Sequence, residues 1–317
     1  MAISRRKMMG GAISVFALSR GGMAQTPTQG RRVSITIDDG PVVGGRDLSD
    51  FQRISAGLIG SFVAEKVPVT IFINERQLNV QDQRDARAAV VTEWLDAGFD
   101  LGNHTYSHSS LNRVPLWQFQ DDLIRGDVIM RKLLEERGRK LVWFRYPYLN
   151  SGTTAEVHQG ILDFLEQRKY RVAPVTVDYA DYTFAGVYSR LLRDGKPDIA
   201  EKVKQAYLDQ VDVGFEHAEK TSQEVFGYEL PQILLIHCNE LNSVTLRDSI
   251  GRMRKRGYSF ISLDDAMKDP AYARPDTFAG SGGSWLSRTA TSMGKPLAPG
   301  TGPKVPAWIT ELGRPAQ

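Results

Sequence analysis

The sequence predicts an α/β protein built as a parallel barrel of seven strands. Short apolar, β-branched runs alternate with stretches of helical periodicity. These runs lie at 33–37, 69–73, 99–101, 141–145, 171–177, 232–236 and 258–262. Residues able to do chemistry follow the ends of the runs, where parallel barrels place their active groups. A chain of 317 residues with 41% hydrophobic content can bury one such core.

The first strand ends in two adjacent acids. A β-branched run from Val33 is followed by Asp38, Asp39 and a Gly-Pro turn, which suits a buried strand that delivers carboxylates to a surface loop. Adjacent carboxylates repel each other unless a positive group lies near them. A divalent metal ion would satisfy this by binding one carboxylate and leaving the other as a base for water. A solvated Asp-Gly turn is the alternative.

Two histidines four residues apart follow the third strand. His104 and His108 come after an apolar helix predicted at 88–97 and the short strand at 99–101. Neutral imidazoles at this spacing can face one point, and zinc is commonly bound by histidine nitrogen together with carboxylate oxygen. The chain has only five histidines, so a pair this close indicates a metal site. A structural pair that caps a turn is the alternative.

The fourth strand ends in an arginine. A buried Arg145 needs a carboxylate partner, so at the mouth of the barrel it would hold Asp38 ionised and oriented. Tyr148 can offer its backbone N–H or its ring to an oxyanion. Arginines at strand ends are more often structural, so this segment alone does not decide the role.

The fifth and sixth strands lead into further polar residues. His237 follows an apolar strand, and a lone histidine there is usually a core or loop residue. A catalytic role for His237 becomes plausible if Asp178 or Asp181 fixes its tautomer and raises its pKa, because His237 could then protonate a leaving amine. The neighbouring Cys238 admits a Cys–His nucleophile, but a small buried filler is the preferred interpretation.

Taken together, these segments resemble the polysaccharide deacetylases of carbohydrate esterase family four, the group that includes chitin and peptidoglycan deacetylases. The resemblance spans about residues 33–265 and implies a distorted seven-stranded (β/α) barrel. Five motifs carry it, in sequence order: Thr36–Pro41, His104–His108, Arg145–Tyr148, Asp178–Tyr182 and Leu235–His237. Three departures are that Ile37 replaces the usual Phe, that Tyr182 replaces the usual Trp, and that Leu149-Asn150 stands where a Gly is common.

The resemblance implies a metal site and a catalytic base. Asp39, His104 and His108 would bind a divalent metal ion, expected to be Zn²⁺, with Co²⁺ or Ni²⁺ as alternatives. Asp38 would be the base, held in place by Arg145. The implied reaction is the metal-dependent hydrolysis of N-acetyl groups on a glycan.

The resemblance also implies how the leaving group departs. The Tyr148 backbone amide would help to hold the oxyanion, and His237 would protonate the nitrogen with Asp181, rather than Asp178, behind it. Two alternatives stay open. One is an amide or ester hydrolase acting on a non-sugar or O-acetyl substrate, and the other is a carbohydrate-binding homologue without turnover.

The chain divides into three parts, the second of which carries an insertion. Residues 1–24 resemble a twin-arginine export signal and predict a periplasmic or secreted protein. The barrel is expected at 25–268, with an insertion at about 183–230 whose helix, at 198–221, is either a lid or a peripheral helix. The tail at 269–317 is rich in Gly, Pro and Ser but keeps tryptophans, so partial order on the barrel surface is expected.

Composition limits the partners. Residues 1–24 carry four basic residues and no acids, so the formal charge falls from +3 to −1 without them. No basic patch with interleaved aromatics predicts nucleic-acid binding, and no long apolar run predicts a membrane span. An acetylated carbohydrate is the expected partner, and the sequence does not fix an oligomeric state.

One helix is predicted across 116–134, and His158 and His217 are expected to be solvated.

Overall fold

The structure, a computed structural model, describes residues 30–45 and 47–314. The predicted export signal at 1–24 lies outside the described residues. The strands are β1 (Arg32–Gly40), β2 (Val69–Ile73), β3 (Asp100–Asn103), β4 (Trp143–Phe144), β5 (Arg171–Val172), β6 (Gln232–His237) and β7 (Ser259–Phe260). They are parallel and pair in the order β5-β4-β3-β2-β1-β6, and β7 pairs with β1. This sheet forms a half-barrel, which confirms the predicted distorted α/β barrel.

Helices surround the sheet. They are α1 (Leu48–Glu65), α2 (Arg84–Asp96), α3 (Leu116–Arg125), α4 (Val128–Glu135), α5 (Ala155–Gln167), α6 (Asp181–Arg193), α7 (Pro197–Phe226), α8 (Glu240–Lys255), α9 (Leu263–Ala266), α10 (Trp285–Ser292) and α11 (Ala307–Gly313). Between residues 30 and 314, none of them combines the length and apolar character that crossing a bilayer requires.

The central strand, β1, explains how a buried sheet presents polar groups. Its side chains alternate between the two faces, with Val33, Ile35 and Ile37 on one face and fully buried. Thr36 and Asp38 share the opposite face and are also buried. Because β6 and β2 flank β1 on its two sides, its carboxyl end lies at the centre of the barrel mouth.

The fifth strand is shorter than predicted. The expected strand at 171–177 pairs with β4 only at Arg171–Val172, and Thr176 and Val177 then pair with β6 instead. Pro174 lies between these two parts and has no N–H to donate to a sheet. The segment therefore bends and links the two edges of the half-barrel.

The single helix predicted at 116–134 is two helices, α3 and α4, separated at Gly126 and Asp127. A Cβ on Gly126 would lie 2.5 Å from the backbone carbonyl carbon of Thr105. Only glycine permits this approach, and it brings the end of α3 against the loop that carries the two site histidines. The N–H of Tyr106 in that loop donates to the carbonyl of Asp122.

The insertion and the described part of the tail both pack on the barrel. Helices α6 and α7 pack against each other and against α8. In the tail, the ring of Trp285 stacks on Phe226 of α7 at 5.6 Å, and the carbonyl of Leu312 accepts a hydrogen bond from Arg190 of α6. The tail also covers His158, which is buried between the carbonyls of Ser151 and Asp276 and not solvated as predicted.

A buried acid beside the barrel gives a pH-dependent stability prediction. Glu75 follows β2, and one of its carboxylate oxygens accepts a hydrogen bond from the Met130 N–H in the first turn of α4, at 2.7 Å. Burial raises the pKa of Glu75 to about 7, although the backbone N–H groups of Met130 and Ile129 favour the carboxylate. The folded protein thus binds an extra proton between pH 4.5 and 7, and its free energy of unfolding falls as pH rises through this window.

Between pH 5 and pH 8, ionisation of Glu75 should lower the free energy of unfolding by up to about 3 kcal/mol. We expect this decrease to be absent in Glu75→Gln. Urea unfolding of both proteins at the two pH values measures the difference. Glu136→Gln, which changes an exposed acid next to α4, is the matched control and should retain the wild-type pH dependence. An equal loss in wild type and Glu75→Gln would show that Glu75 does not titrate in this range.

Candidate active site and metal centre

The first site pair is a buried ion pair at the end of β1. The Arg145 guanidinium, at 0% exposure, donates to Asp38 Oδ1 at 2.8 Å and to Thr36 Oγ1 at 2.6 Å. It also donates to the carbonyls of Ala173 and Pro174, so the bend after β5 supplies its remaining acceptors. Burial raises the pKa of Asp38 even though Arg145 opposes the shift. Asp38 therefore lies fixed at the barrel mouth with an enhanced tendency to accept a proton.

The second site group is a candidate metal centre. Ligand atoms of Asp39, His104 and His108 lie within 4.8 Å of one another. Asp39 Oδ1 is 3.1 Å from His108 Nε2 and 3.5 Å from His104 Nε2. Ligands bound at about 2.0–2.2 Å to a single zinc ion are separated by similar distances. Asp39 Oδ1 is also buried with no hydrogen-bond partner, so these three residues fit a divalent cation.

The backbone fixes which nitrogen of His104 faces this centre. His104 Nδ1 lies 2.9 Å from the carbonyl of Arg145, so Nδ1 carries the proton and Nε2 is free to act as a ligand. Burial, together with the neighbouring His108, lowers the pKa of His104 to about 3. The imidazole is therefore neutral, as metal binding requires.

Strained backbone marks the same site. Asp39, His108 and Tyr148 have φ angles of 57°, 61° and 58°, and none of them is a glycine. Left-handed conformations in such residues persist only where the surroundings enforce them, and they cluster at functional sites. Here they turn the chain sharply at the ends of β1, β3 and β4 so that the three loops meet.

A second hydrogen-bonded pair lies on the other side of the mouth. His237 Nδ1 is 2.7 Å from Asp181 Oδ1, and the His237 backbone N–H donates to Asp181 Oδ2 at 2.8 Å. Burial disfavours the charged imidazole, but the Asp181 carboxylate, together with the weaker effects of Asp39 and Asp38, outweighs it and raises the pKa of His237 to about 10. Asp178 instead accepts from the N–H of Ala180. Of the two acids considered from the sequence, Asp181 is the one in contact with His237.

Two asparagines near Asp181 were missed by the sequence analysis. Asn239 and Asn242 both donate side-chain hydrogen bonds to Asp181 Oδ2, at 3.1 and 2.7 Å. Both are buried, Asn239 caps α8, and Asn242 lies in its first turn. The position of Asn239 two residues after His237 was the only available signal. Together they hold the carboxylate that orients the histidine.

The structure also indicates roles for Asn74 and Cys238. Asn74, not singled out from the sequence, donates from Nδ2 to the carbonyl of His104 at 2.5 Å and so supports the metal loop. The thiol of Cys238 is fully buried, and burial raises its pKa well above the ordinary value. The filler interpretation fits, because a thiol without thiolate character is a poor nucleophile.

One groove of about 740 Å³ is lined by Asp38, Asp39, His104, His108 and His237. Two exposed aromatic rings flank it. Tyr148 packs against His108 with ring centroids 4.4 Å apart, and Tyr182 lies edge-on to His237 at 5.8 Å. Helix α6 forms one wall, and the tail reaches the rim at Gly283. The groove can therefore take an extended polar ligand across the acid, base and metal residues.

Comparisons with known proteins agree with this geometry. The polysaccharide deacetylase family model matches residues 25–170, which include the first three motifs. Residues 25–170 are therefore similar to the polysaccharide deacetylase family. A chitin deacetylase of Arthroderma benhamiae is 21% identical over 243 residues, covering 75% of this chain and 52% of that protein. The chain thus spans about half the length of this curated relative.

Solved structures show the same fold. A pseudoenzyme of carbohydrate esterase family four from Bacillus anthracis has a TM-score of 0.52 at 17% identity, covering 75% of this chain and 65% of that chain. A peptidoglycan deacetylase from Bacillus subtilis has a TM-score of 0.51 at 18% identity, covering 78% and 96%. Identities this low establish the fold alone. The function of this chain must be argued from its own residues.

Proposed function

We propose that this protein is a metal-dependent hydrolase that removes N-acetyl groups from a glycan. The proposal rests on one observation, which is that the two adjacent acids of β1 contact different partners. Asp38 contacts Arg145, whereas Asp39 contacts His104 and His108. A carboxylate paired with arginine can act as a base while its neighbour acts as a ligand.

Asp39, His104 and His108 would hold the metal ion, for which Zn²⁺ is the first candidate and Co²⁺ or Ni²⁺ are alternatives. When bound, such an ion polarises a carbonyl oxygen and lowers the pKa of water toward about 7. Asp38 then accepts the proton of the attacking water, since Arg145 fixes its orientation and its Oδ2 lies 3.8 Å from His104 Nε2. Asp38, the proposed base, therefore lies next to the proposed metal ligands.

Two further groups complete the reaction. In the turn after β4, the N–H groups of Leu149 and Asn150 donate to the carbonyls of Tyr146 and Pro147. The Tyr148 N–H takes no part in these bonds and can donate to the oxyanion, a contact typically worth about 3–4 kcal/mol in the transition state. His237, protonated and held by Asp181, supplies the proton that the departing nitrogen needs.

The groove favours a carbohydrate over a small acyl compound. Tyr148 and Tyr182 are 57% and 58% exposed, on the metal side and the His237 side respectively. Exposed tyrosines present a flat apolar face with a polar edge, which suits the mixed surface of a sugar ring. We therefore propose an acetylated glycan as the partner, met outside the cytoplasm if the N-terminal segment acts as an export signal.

The test is acetate release by the purified, zinc-loaded protein from a panel of N-acetylated glycans that includes peptidoglycan and chitooligosaccharides. We expect release from at least one member, its loss on chelation, and its return when zinc is added back. Matched O-acetylated and small acetamide donors distinguish the ester and non-sugar alternatives. Binding of a glycan without release from any donor, with metal content verified, would instead identify a non-catalytic binding protein.

A further inference from the structure

The turn that carries Tyr148 is doubly strained. Tyr148 has φ 58° and ψ 14°, and the next residue, Leu149, has φ 53°. Two consecutive non-glycine residues in the left-handed region are unfavourable on their own. The two hydrogen bonds within the turn hold the N–H groups of Leu149 and Asn150 but not the carbonyl of Leu149. Contacts from elsewhere must therefore keep the turn in place.

The C-terminal tail supplies such a contact through Arg288 of α10. The residue is 8% exposed, and its guanidinium donates from Nη1 to the carbonyl of Leu149 at 3.0 Å. From Nη2 it donates to Asp276 Oδ2, also at 3.0 Å, and it lies 5.6 Å from the ring centre of Phe278. The Arg288 charge is thus paired with Asp276 within the tail through Nη2. Its Nη1 is hydrogen-bonded to the strained turn.

Neighbouring bonds tie the same stretch of tail to the same loop. The N–H of Gly282 donates to Asn150 Oδ1 at 2.8 Å, and the N–H of Gly280 donates to the carbonyl of Gly152, also at 2.8 Å. The family match ends at residue 170, so the braced loop lies inside the matched region and the tail residues that brace it lie outside.

We propose that Arg288 is a positioning residue that keeps the Tyr148–Leu149 turn left-handed and so aims the Tyr148 N–H at the oxyanion. The inference rests on the proposed function in that it assigns Tyr148 N–H as the oxyanion donor. Arginine suits the task because its planar fork serves two acceptors at fixed angles, which the single ammonium of lysine does not.

The first test compares wild type with Arg288→Lys in the full chain, both with verified metal content. Since an oxyanion donor acts mainly in the transition state, we expect kcat for acetate release to fall at least ~10-fold, with KM changed less than ~3-fold. Hydrogen exchange gives a readout independent of turnover. The amides of Leu149 and Asn150 should exchange at least ~10-fold faster in the variant, while those around His104 keep their rates.

Lys295→Met is the matched control, because Lys295 also donates from the tail to a backbone carbonyl, that of Val225 in α7 at 3.3 Å, away from the turn. It should retain wild-type kcat and turn exchange. Equal losses in both variants would mean that general detachment of the tail is responsible, and the role of Arg288 would be rejected. Unchanged exchange of the turn in Arg288→Lys would reject it as well.

A double-mutant comparison addresses the strain itself. Glycine adopts positive φ without a steric penalty, so Leu149→Gly should make the turn less dependent on Arg288. We expect Arg288→Lys to speed exchange of the turn less in the Leu149→Gly background than in wild type, and an equal effect would contradict the strain argument. If wild type releases no acetate, the proposed function fails, but the exchange data still decide whether Arg288 holds the turn.

Discussion

Asp38→Asn should lower kcat/KM for acetate release by roughly 10²–10⁴-fold while leaving the metal site loaded. Asparagine retains an oxygen that can accept from Arg145 Nη1, now 2.8 Å from Asp38 Oδ1. It cannot take a proton from water near neutral pH. The residues proposed to bind the metal, Asp39, His104 and His108, are unchanged. The loss should therefore appear in turnover and not in metal content.

The same substitution should also lower stability. Arg145 is fully buried, and Asp38 is its carboxylate partner among the described residues. Removing one member of a buried ion pair commonly costs about 3–5 kcal/mol because the other charge stays buried. Retention of the hydrogen bond places the expected cost at the lower end of that range. Urea unfolding measures it, and metal content measured on the same sample shows whether the site survives.

Asp178→Asn is the matched control for this prediction. Asp178 lines the same groove, but it accepts a hydrogen bond from the N–H of Ala180 and does not contact Arg145. Its loss should change kcat/KM less than about fivefold, as for a carboxylate outside the proton path. If Asp38→Asn with full metal occupancy stayed within tenfold of wild type, Asp38 would not be the base.

Local sequence patterns were sufficient to locate the strands and the polar residues at their ends. The β-branched run of β1 and the acids after it are adjacent in sequence, so one pattern indicates both the strand and the carboxylates that it positions. The same holds for His104 and His108 after β3. The predicted strands all correspond to observed ones, although β4, β5 and β7 contain only two residues each.

Features that depend on distant contacts were not predictable in this way. The bend at Pro174 depends on Arg145, 29 residues earlier, whose guanidinium donates to the Pro174 carbonyl. The break at Gly126 depends on the backbone of Thr105, and the burial of His158 depends on the tail. Each has a physical cause, but no local periodicity reports it. A sequence pattern is informative only where the interacting residues are close along the chain or share a regular element.

The residues that hold His237 in place also depend on contacts between distant parts of the chain. The acids of the fourth motif suggested a partner for His237, but helix α6 begins at Asp181 and so brings its carboxylate, not that of Asp178, against the imidazole. The two asparagines that hold this carboxylate are about 60 residues further along, at 239 and 242. Their role becomes visible only when β6 and α6 are side by side.

Asp181→Asn should have the second large effect, through the pKa of His237. In wild type the pKa of His237 is raised to about 10 by Asp181 against the opposing effect of burial. Without that carboxylate, only the weaker attraction of Asp39 and Asp38 opposes burial, and the pKa of His237 should fall. The imidazolium that protonates the leaving nitrogen is then lost at a lower pH.

The expected result is a pH–rate profile whose alkaline limb moves down by more than about one pH unit, together with a fall in kcat of about 10²–10⁴-fold above pH 8. The stability linkage has the same sign. Because the folded pKa is raised, the pair contributes its full stability below about pH 6.5 and loses it as pH rises toward 10. Asp181→Asn should therefore be destabilised most at low pH, relative to wild type.

Acetate release measured from pH 5 to pH 10 on zinc-loaded wild type, Asp181→Asn and Asp178→Asn tests this directly. A bound cation lowers the pKa of His237 in all three proteins, so the difference between profiles is the informative quantity. The Asp178→Asn limb should move much less than that of Asp181→Asn, since Asp178 acts on the imidazole only through a weaker electrostatic interaction and makes no hydrogen bond to it. An unmoved limb in Asp181→Asn would mean that another group governs it, and His237 would then lose its assignment as the general acid.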